Sequence, residues 1–168
     1  MPNGPRVVFI LRHAEKPGNP ATDLESDGIH LSTQGRIRAA ALSVYIPENV
    51  SKPDYLFASK QSRHSNRSVE TLLPLAKSMG REIDSSYGEG DYAKLARSVL
   101  NDAKYSEKVV IVCWHHTRIP DLATSLGIAR PPTWPGRIFD RIWMIDYSEG
   151  KPLLHNNPQM LLYGDSSV

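Results

Sequence analysis

The chain has 168 residues, of which 40% are hydrophobic and 23% charged, and its net charge is +2. A domain of this length buries roughly two thirds of its unfolded surface, so we expect a single domain over residues 1–168. The basic residues are spread along the chain without a Lys/Arg run, which argues against a nucleic acid or a membrane surface as a partner. The one cysteine, Cys113, excludes an intrachain disulfide and a cysteine metal cluster, and it favours a reducing compartment.

The apolar stretch at 7–11 is too short for a signal-peptide core, and Arg12 interrupts it. No stretch of the sequence approaches the length of a membrane-spanning helix. We therefore expect a cytoplasmic protein.

The predicted elements alternate between strands and helices. Continuous apolar runs, the clearest at 109–114, are typical of strands buried on both faces of a parallel sheet. In chain order we predict a strand at 6–11, a loop at 16–30, a helix at 32–47, a strand at 53–58, a helix at 66–79, a strand at 82–86, a helix at 91–103, a strand at 109–114, a helix at 120–126, and strands at 141–147 and 159–163.

Local signals set the ends of the helices. Ser32 is a predicted N-cap, Pro47 a predicted end of the first helix and Gly80 a predicted stop of the second. Pro74 predicts a kink or a late restart inside the second helix. The order of elements predicts an α/β fold, a three-layer α/β/α sandwich with a mostly parallel central sheet.

Residues that carry chemistry follow three of the predicted strands. Arg12 and His13 come directly after the first strand, and Arg67 begins the helix after the second. His115 and His116 follow the strand at 109–114. Because ligands of open α/β sheets bind beyond the carboxyl ends of the strands, we expect these residues to meet at one edge of the sheet.

Four segments resemble motifs of the histidine phosphatase superfamily, the phosphoglycerate-mutase-like phosphatases. Residues 11–15 (LRHAE) resemble the family's Arg-His-Gly-Glu signature, with alanine where glycine is usual. Residues 31–39 (LSTQGRIRA) and 67–71 (RSVET) are similar to its Leu-Thr-x-x-Gly-x-x-Arg/Gln-Ala and Arg-Ala-x-Gln-Thr segments. Residues 110–116 (VIVCWHH) resemble the strand that delivers its second histidine. The four matches fall in the family's order, and the final forty residues match only loosely.

The resemblance implies a phosphoglycerate-mutase-like fold and a metal-independent phosphatase without a cofactor, which forms a covalent phosphohistidine on His13. Neutral imidazole is a competent nucleophile near pH 7. Arg12 and Arg67 would bind phosphate oxygens through fork-shaped, permanently charged donors. The expected substrate is a phosphate monoester or phosphohistidine, on a small molecule or on a phosphoprotein.

Two histidines compete for the second catalytic position. Strand alternation sends His115 and His116 to opposite faces, so one of them is expected to enter the pocket. Residues 116–120 (HTRIP) resemble the His-Gly-x-Ile-Pro ending of a small-phosphatase subgroup, which favours His116 as the catalytic residue. His115 is then predicted to contact substrate.

Two arginines compete in the same way, because the chain before Arg67 is longer than in the family. The spacing to Thr71 favours Arg67 in the pocket, and Arg63 is kept as a substrate-binding residue. Arg36 and Arg38 are expected to be surface charges or to contact the residues that bind substrate without touching the substrate themselves.

Three acidic residues are candidates for the remaining roles. Glu15 is predicted to lie at the substrate site and to orient its neighbours. Glu89 and Asp91 are candidate proton donors for the leaving group, since a general acid must lie within hydrogen-bond reach of it. Asp91 is equally predicted as a helix N-cap.

Other functions remain open at this point. A phosphoglycerate-mutase-type phosphotransferase would have to shield its intermediate from water, and this short chain leaves few residues for a lid. A weakly active module that binds phosphorylated partners would not need His13. A metal hydrolase on His115 and His116 is disfavoured, because adjacent strand residues point apart. The sequence predicts no oligomeric state.

Overall fold

The structure, a computed structural model, describes residues 4–18, 21, 23 and 28–166. Its strands are β1 (Val7–Arg12), β2 (Tyr55–Ala58), β3 (Ile83–Asp84), β4 (Val109–Trp114), β5 (Arg141–Asp146) and β6 (Leu153–Pro158). Its α-helices are α1 (Thr33–Tyr45), α2 (Arg67–Met79), α3 (Tyr92–Asn101) and α4 (Ile119–Ser125). Short helical turns lie at Ile46–Val50, Glu89–Asp91 and Ala103–Tyr105. The predicted loop at 16–30 lies partly outside the described residues.

The six strands form one sheet in the order β3-β2-β4-β1-β5-β6. The pairs β3–β2, β2–β4 and β4–β1 are parallel, whereas β1–β5 and β5–β6 are antiparallel. Only β5 therefore runs against the other strands, and the prediction of a mostly parallel sheet is confirmed. The central strands β1 and β4 are buried at all six of their residues, as their continuous apolar runs predict.

Apolar side chains of β1 alternate between two cores. Val8 and Ile10 pack in the cluster that contains residues of α3 and α4. Val7, Phe9 and Leu11 pack in the cluster that contains residues of α1 and α2. Helices thus cover both faces of the sheet, and the predicted three-layer α/β/α sandwich is confirmed.

The helix ends agree with most of the sequence signals. The Ser32 hydroxyl accepts a hydrogen bond from the Gly35 N–H at 3.0 Å, as expected of an N-cap. Gly80 follows α2 with a φ of 59°, a left-handed conformation that glycine adopts without strain. Pro47 lies within the turn Ile46–Val50 instead of ending the helix, and α2 runs through Pro74 without a restart.

The last strand was predicted at 159–163, and this prediction is wrong. β6 covers Leu153–Pro158 and forms a hairpin with β5, in which Asp146 pairs with Leu153. It is an edge strand with a largely exposed, polar sequence, so it lacks the apolar alternation that indicates a strand. Its position is set by the hairpin turn, where Gly150 has a φ of 81°.

None of the helices in residues 4–18, 21, 23 and 28–166 combines the length and the apolar character needed to cross a bilayer.

Candidate active site

The register between β1 and β4 brings two histidines together. Arg12 pairs with Trp114, and the His13 N–H donates to the Trp114 carbonyl at 3.2 Å. Paired residues of neighbouring strands share a face, so the next pair, His13 and His115, lies on the same side of the sheet. Their ring centroids are 5.6 Å apart.

The His13 ring has a defined tautomer. Its Nδ1 lies 2.8 Å from the Ala14 carbonyl, which can only accept a hydrogen bond, so Nδ1 carries the proton. Nε2 is then left with a lone pair, and this buried atom has no hydrogen-bond partner in the described part of the chain. Burial, together with the charges of Arg12 and Arg67, lowers the pKa of His13 to about 3, against the opposing effect of the Ala14 bond. His13 is therefore neutral near pH 7, with an unprotonated and unpaired Nε2.

Arg12 is a buried cation held by one segment of the chain. Its Nη1 donates to the carbonyls of Gly136 at 2.6 Å and Ile138 at 3.0 Å. Its guanidinium carbon lies 3.7 Å from the centroid of the Phe139 ring. Burial, followed by the charge of Arg67, lowers the pKa of Arg12 to about 10, so Arg12 remains charged at neutral pH.

Arg67 occupies the first position of α2 and is also buried. Its Nη1 donates to the Gly28 carbonyl, and burial lowers its pKa. The Nε–H groups of Arg12 and Arg67 make no hydrogen bond to any described residue. Unpaired buried donors on cations are costly, so both Nε–H groups are candidates for binding an anion.

A pocket of about 260 Å³ opens beside His13, and neither Arg12 nor Arg67 is among the residues that line it. Its walls carry both histidines and mostly small polar side chains: His13, Ser59, Lys60, Gln61, Ser62, Ser65, Ser68, Gly88, Glu89 and His115. Its volume lies just below the ~300–1,000 Å³ of pockets that enclose drug-sized ligands, so it suits a small anionic group.

The structure places His115 in the pocket, whereas the sequence favoured His116 for that position. His116 leaves the strand on the other side, and its Nε2 lies 3.1 Å from where a Cβ on Gly136 would be. Burial lowers the pKa of His116 to about 4. The motif match at 116–120 misled the prediction, because the pairing of Arg12 with Trp114 decides which histidine accompanies His13.

The two candidate proton donors have different surroundings. Glu89 lines the pocket, and its Oε1 lies 3.5 Å from His115 Nδ1. Asp91 instead accepts hydrogen bonds from Lys94 Nζ at 2.7 Å and from the Gly88 N–H at 3.0 Å. These bonds lower the pKa of Asp91, so it stays ionised; it occupies the N-cap position of α3, but its side chain makes no cap hydrogen bond to that helix. Glu89 is the one of the two that is placed to reach a leaving group.

Glu15 contacts an arginine behind the site instead of lining the pocket. Its carboxylate accepts from Arg38 Nη2 at 2.8 Å and from Nε at 2.9 Å. Arg38 also donates from Nη2 to Asp165 at 2.7 Å and from Nη1 to Gln159 at 2.9 Å. Arg38 is only 2% exposed, so it is not a surface charge, and Glu15 acts here as its partner.

Neither Arg63 nor Arg67 lines the pocket, but the two arginines have different surroundings. Arg63 is exposed, and its Nε donates to His64 Nε2 at 3.0 Å. Arg67, by contrast, is 8% exposed and lies close enough to His13 for its charge to lower the histidine pKa.

The contacts from 136–139 to Arg12 were missed by the sequence prediction. Two of them come from backbone carbonyls, which no side-chain pattern indicates. Among residues 4–18, 21, 23 and 28–166, no three His, Cys, Asp or Glu side chains converge as a metal site requires.

No protein-family model and no curated protein sequence matches this chain. Solved structures do match its fold. The phosphoserine phosphatase of Entamoeba histolytica, solved with 3-phosphoglyceric acid, matches with a TM-score of 0.64 and 14% identity, over 93% of this chain and 99% of its own.

Two further matches come from other phosphatases. The mycobacterial glucosyl-3-phosphoglycerate phosphatase gives a TM-score of 0.55 and 14% identity, over 91% of this chain and 97% of its own. The protein histidine phosphatase SixA, solved with tungstate, gives 0.55 and 15% over the same shares. These proteins belong to the histidine phosphatase superfamily, and the chain has their phosphoglycerate-mutase-like fold.

Proposed function

We propose that this protein is a phosphatase that transfers a phosphoryl group to His13 Nε2 and then hydrolyses the phosphohistidine. One observation carries the proposal: the lone pair of His13 Nε2 is buried and unpaired within the described chain, and two guanidinium groups with unpaired Nε–H donors accompany it. A nucleophile and an anion cradle in one place are what phosphoryl transfer requires.

In the first step, His13 Nε2 attacks phosphorus in line with the leaving group. The new N–P bond forms as the bond from phosphorus to the leaving oxygen, or to nitrogen in a phosphohistidine substrate, breaks. Arg12 and Arg67 stabilise the charge on the equatorial oxygens, so the step as proposed uses no metal and no cofactor.

His115 is proposed as the second histidine of the site. Its Nδ1 lies 2.8 Å from the Thr117 hydroxyl. If that hydroxyl donates, Nε2 carries the ring proton and can donate to a phosphoryl oxygen. Burial lowers the pKa of His115, which keeps the ring a neutral donor at pH 7.

Glu89 is proposed to protonate the leaving group. Its carboxyl lines the pocket, and Trp114 Nε1 fixes its backbone by donating to the Glu89 carbonyl at 3.0 Å. In the second step, water attacks phosphorus, the N–P bond breaks, and Glu89 takes up the proton of that water. The products are inorganic phosphate and free His13.

The three matching structures are a phosphoserine, a glucosyl-3-phosphoglycerate and a protein histidine phosphatase, and these support a phosphate monoester or phosphohistidine as the substrate class. Both small phosphorylated molecules and phosphoproteins fall within the proposal. The pocket is lined by loops and is not covered by a separate domain in the described residues, which favours hydrolysis over a mutase reaction that retains its intermediate.

Trapping the phosphoenzyme tests the proposal. Wild-type protein is mixed with a ³²P-labelled aryl phosphate, quenched in base, and the label is mapped by proteolysis. We expect an acid-labile, base-stable label on His13, no label in His13→Ala, and normal labelling in His64→Ala, which alters an exposed histidine. A label on His115 or His116, or equal turnover by wild type and His13→Ala, would overturn the assignment.

Two further outcomes separate the alternative functions. Transfer of the label from His13 to an added phosphate acceptor faster than to water would make the protein a mutase-type phosphotransferase. Tungstate binding without any turnover of aryl phosphates or phosphohistidine would make it a phosphate-binding module.

A further inference from the structure

One segment, residues 136–139, makes every described hydrogen bond and ring contact of the Arg12 guanidinium. The carbonyls of Gly136 and Ile138 both accept from Nη1, and the Phe139 ring stacks against the guanidinium carbon at 3.7 Å. We call residues 136–139 the Arg12 brace. It follows the four segments that resemble phosphatase motifs and lies outside all of them.

The Arg12 brace is itself fixed by contacts from outside the pocket. Trp134 Nε1 donates to the Ile138 carbonyl at 2.9 Å, and the Trp134 ring packs on Trp143 of β5 with centroids 5.1 Å apart. Gln159 Nε2 donates to the Phe139 carbonyl at 3.3 Å. The brace therefore presents its acceptors and its ring at fixed positions, which a mobile loop would not.

The two hydrogen bonds from Nη1 determine which edge of the Arg12 guanidinium is left to bind a ligand. Nη1 lies on the side of the side-chain Cδ, so bonds from Nη1 leave the opposite edge, formed by Nε and Nη2. That edge carries two parallel N–H groups, which match two oxygens of a phosphate. The Arg12 Nε–H is buried and has no partner in the described part of the chain, as this arrangement requires.

The Phe139 ring faces the nucleophile as well as the cation. Its centroid lies 6.2 Å from that of the His13 ring, at an interplanar angle of 56°. Arg12 also lies near the positive charge of Arg67, which disfavours its present position. A π face against the guanidinium offsets part of that repulsion and fixes the plane of the group.

We propose that Phe139 is a positioning residue, which holds the guanidinium plane of Arg12 so that its Nε–Nη2 edge faces the transferring phosphoryl group. This inference rests on the proposed function for its catalytic meaning. The coupling of Phe139 to oxyanion binding through Arg12 can be measured without catalytic turnover.

Binding of tungstate, followed by calorimetry, is the first test. Phe139→Leu keeps an apolar side chain but removes the π face, and it should raise the tungstate Kd by about 3- to 30-fold. Phe139→Tyr keeps the π face and should bind within about twofold of wild type. Phe9→Leu, the same change at a residue of β1 that packs in the core with α1 and α2, is the matched control and should also bind within about twofold.

A double-mutant cycle tests whether Phe139 acts through Arg12. In an Arg12→Lys background, Phe139→Leu should change the tungstate Kd by less than about twofold, because the stacked guanidinium is gone. An equal effect of Phe139→Leu in both backgrounds, or equal loss in Phe139→Leu and Phe139→Tyr, would overturn the proposal.

The Arg12 Nε–H proton gives a direct readout if Arg12→Lys binds tungstate too weakly to measure. Its exchange with solvent, followed by ¹H–¹⁵N NMR, should be slow in wild type and Phe139→Tyr and faster in Phe139→Leu. Equal exchange in all three proteins would contradict a positioning role. If His13→Ala turns over like wild type while these results hold, the proposed function fails and the coupling of Phe139 to Arg12 stands.

Discussion

At the scale of single residues, the protonation state of His13 is set by a backbone carbonyl and by burial, and not by the 11–15 motif alone. The Ala14 carbonyl fixes the proton on Nδ1, and burial keeps the ring neutral. A histidine at the surface would be partly protonated near pH 7 and would lose its lone pair in proportion. The fold thus supplies the protonation state that the proposed chemistry needs.

His13 should titrate far below the ordinary histidine range. With its pKa lowered to about 3, the imidazole ¹H–¹³C resonance of His13 should show no titration step between pH 8 and about pH 4.5. The neutral ring contributes stability that is complete above about pH 6.5 and is lost as the pH falls toward 3. NMR of the free protein checks this, with His13→Ala to assign the resonance. A midpoint near 6.5 would contradict the buried, neutral state.

The sequence predicted the residue types of the site better than their geometry. The charges of Arg12 and Arg67 both act on His13, as expected of residues that each follow or begin an element whose position the apolar patterns predict. The choice between His115 and His116 failed, since it depends on the register of two strands about a hundred residues apart. Their chemical roles remain predictions until the trapping experiment is done.

At the scale of elements, α1 approaches the active-site segment through a glycine. A Cβ at Gly35 would lie 2.4 Å from the Glu15 carbonyl oxygen and 3.0 Å from the Glu15 nitrogen. The contacted atoms belong to the backbone just after His13, so they cannot move without moving the site. Glycine at position 35 therefore has a steric reason in this structure.

Replacing Gly35 by alanine should therefore strain both the helix and the segment after His13. We expect Gly35→Ala to lower the free energy of unfolding by about 1–3 kcal/mol, despite the better helix propensity of alanine. Urea denaturation measures this change. Gly18→Ala is the control, because a Cβ at Gly18 meets no heavy atom within 4 Å. Equal stability of the two variants would show that the close approach is not rigid.

Strands with continuous apolar runs were predictable, and the edge strand was not. The prediction for β4 agrees with the structure residue for residue, because a fully buried strand must be apolar throughout. β6 is stabilised by its hairpin to β5, and its sequence of leucines, a histidine, asparagines and a proline carries no such pattern. The sequence did not predict the contacts of the Arg12 brace for a related reason, since its hydrogen-bond acceptors are carbonyls of the backbone.

At the scale of the whole molecule, a buried ion-pair network joins distant parts of the chain. Arg38 of α1 connects Glu15, two residues after His13, with Asp165. Asp165 also accepts from the N–H groups of Leu161 and Leu162 at 2.8 and 3.0 Å. The segment after β6 is thereby tied to the site, although it contributes no side chain to the pocket.

Removing the charge of Asp165 should loosen this network. Burial raises the pKa of Asp165, but hydrogen bonds from Arg38 and from the two leucine N–H groups outweigh it and hold the pKa below its usual range. We expect Asp165→Asn to lower the free energy of unfolding by about 1.5–3 kcal/mol at pH 7. The stabilisation from the carboxylate is complete above about pH 4 and is lost as the pH falls, so the two proteins should converge in acid.

Urea denaturation from pH 7 to pH 3 measures that convergence. Asp121→Asn is the matched control, because Asp121 pairs with Arg118 at the surface, where both side chains are nearly half exposed. Its effect should stay below about 0.5 kcal/mol. An Asp165→Asn effect that does not change with pH would assign the loss to packing instead of charge.

The central place of β1 in the sheet has a consequence for how the protein is made. β1 is the first strand of the sequence, yet its partners are β4, about a hundred residues later, and β5, later still. Pairing between strands so far apart in the sequence predicts slow folding, because a long stretch of chain must close into a loop before the strands can form their stabilising contacts. On the ribosome, β1 has no sheet neighbour until about a hundred further residues have been synthesised. The segment that carries His13, the proposed nucleophile, is thus made well before the strands that pair with β1, and a nascent chain that contains the entire 11–15 motif has no site in which to use it.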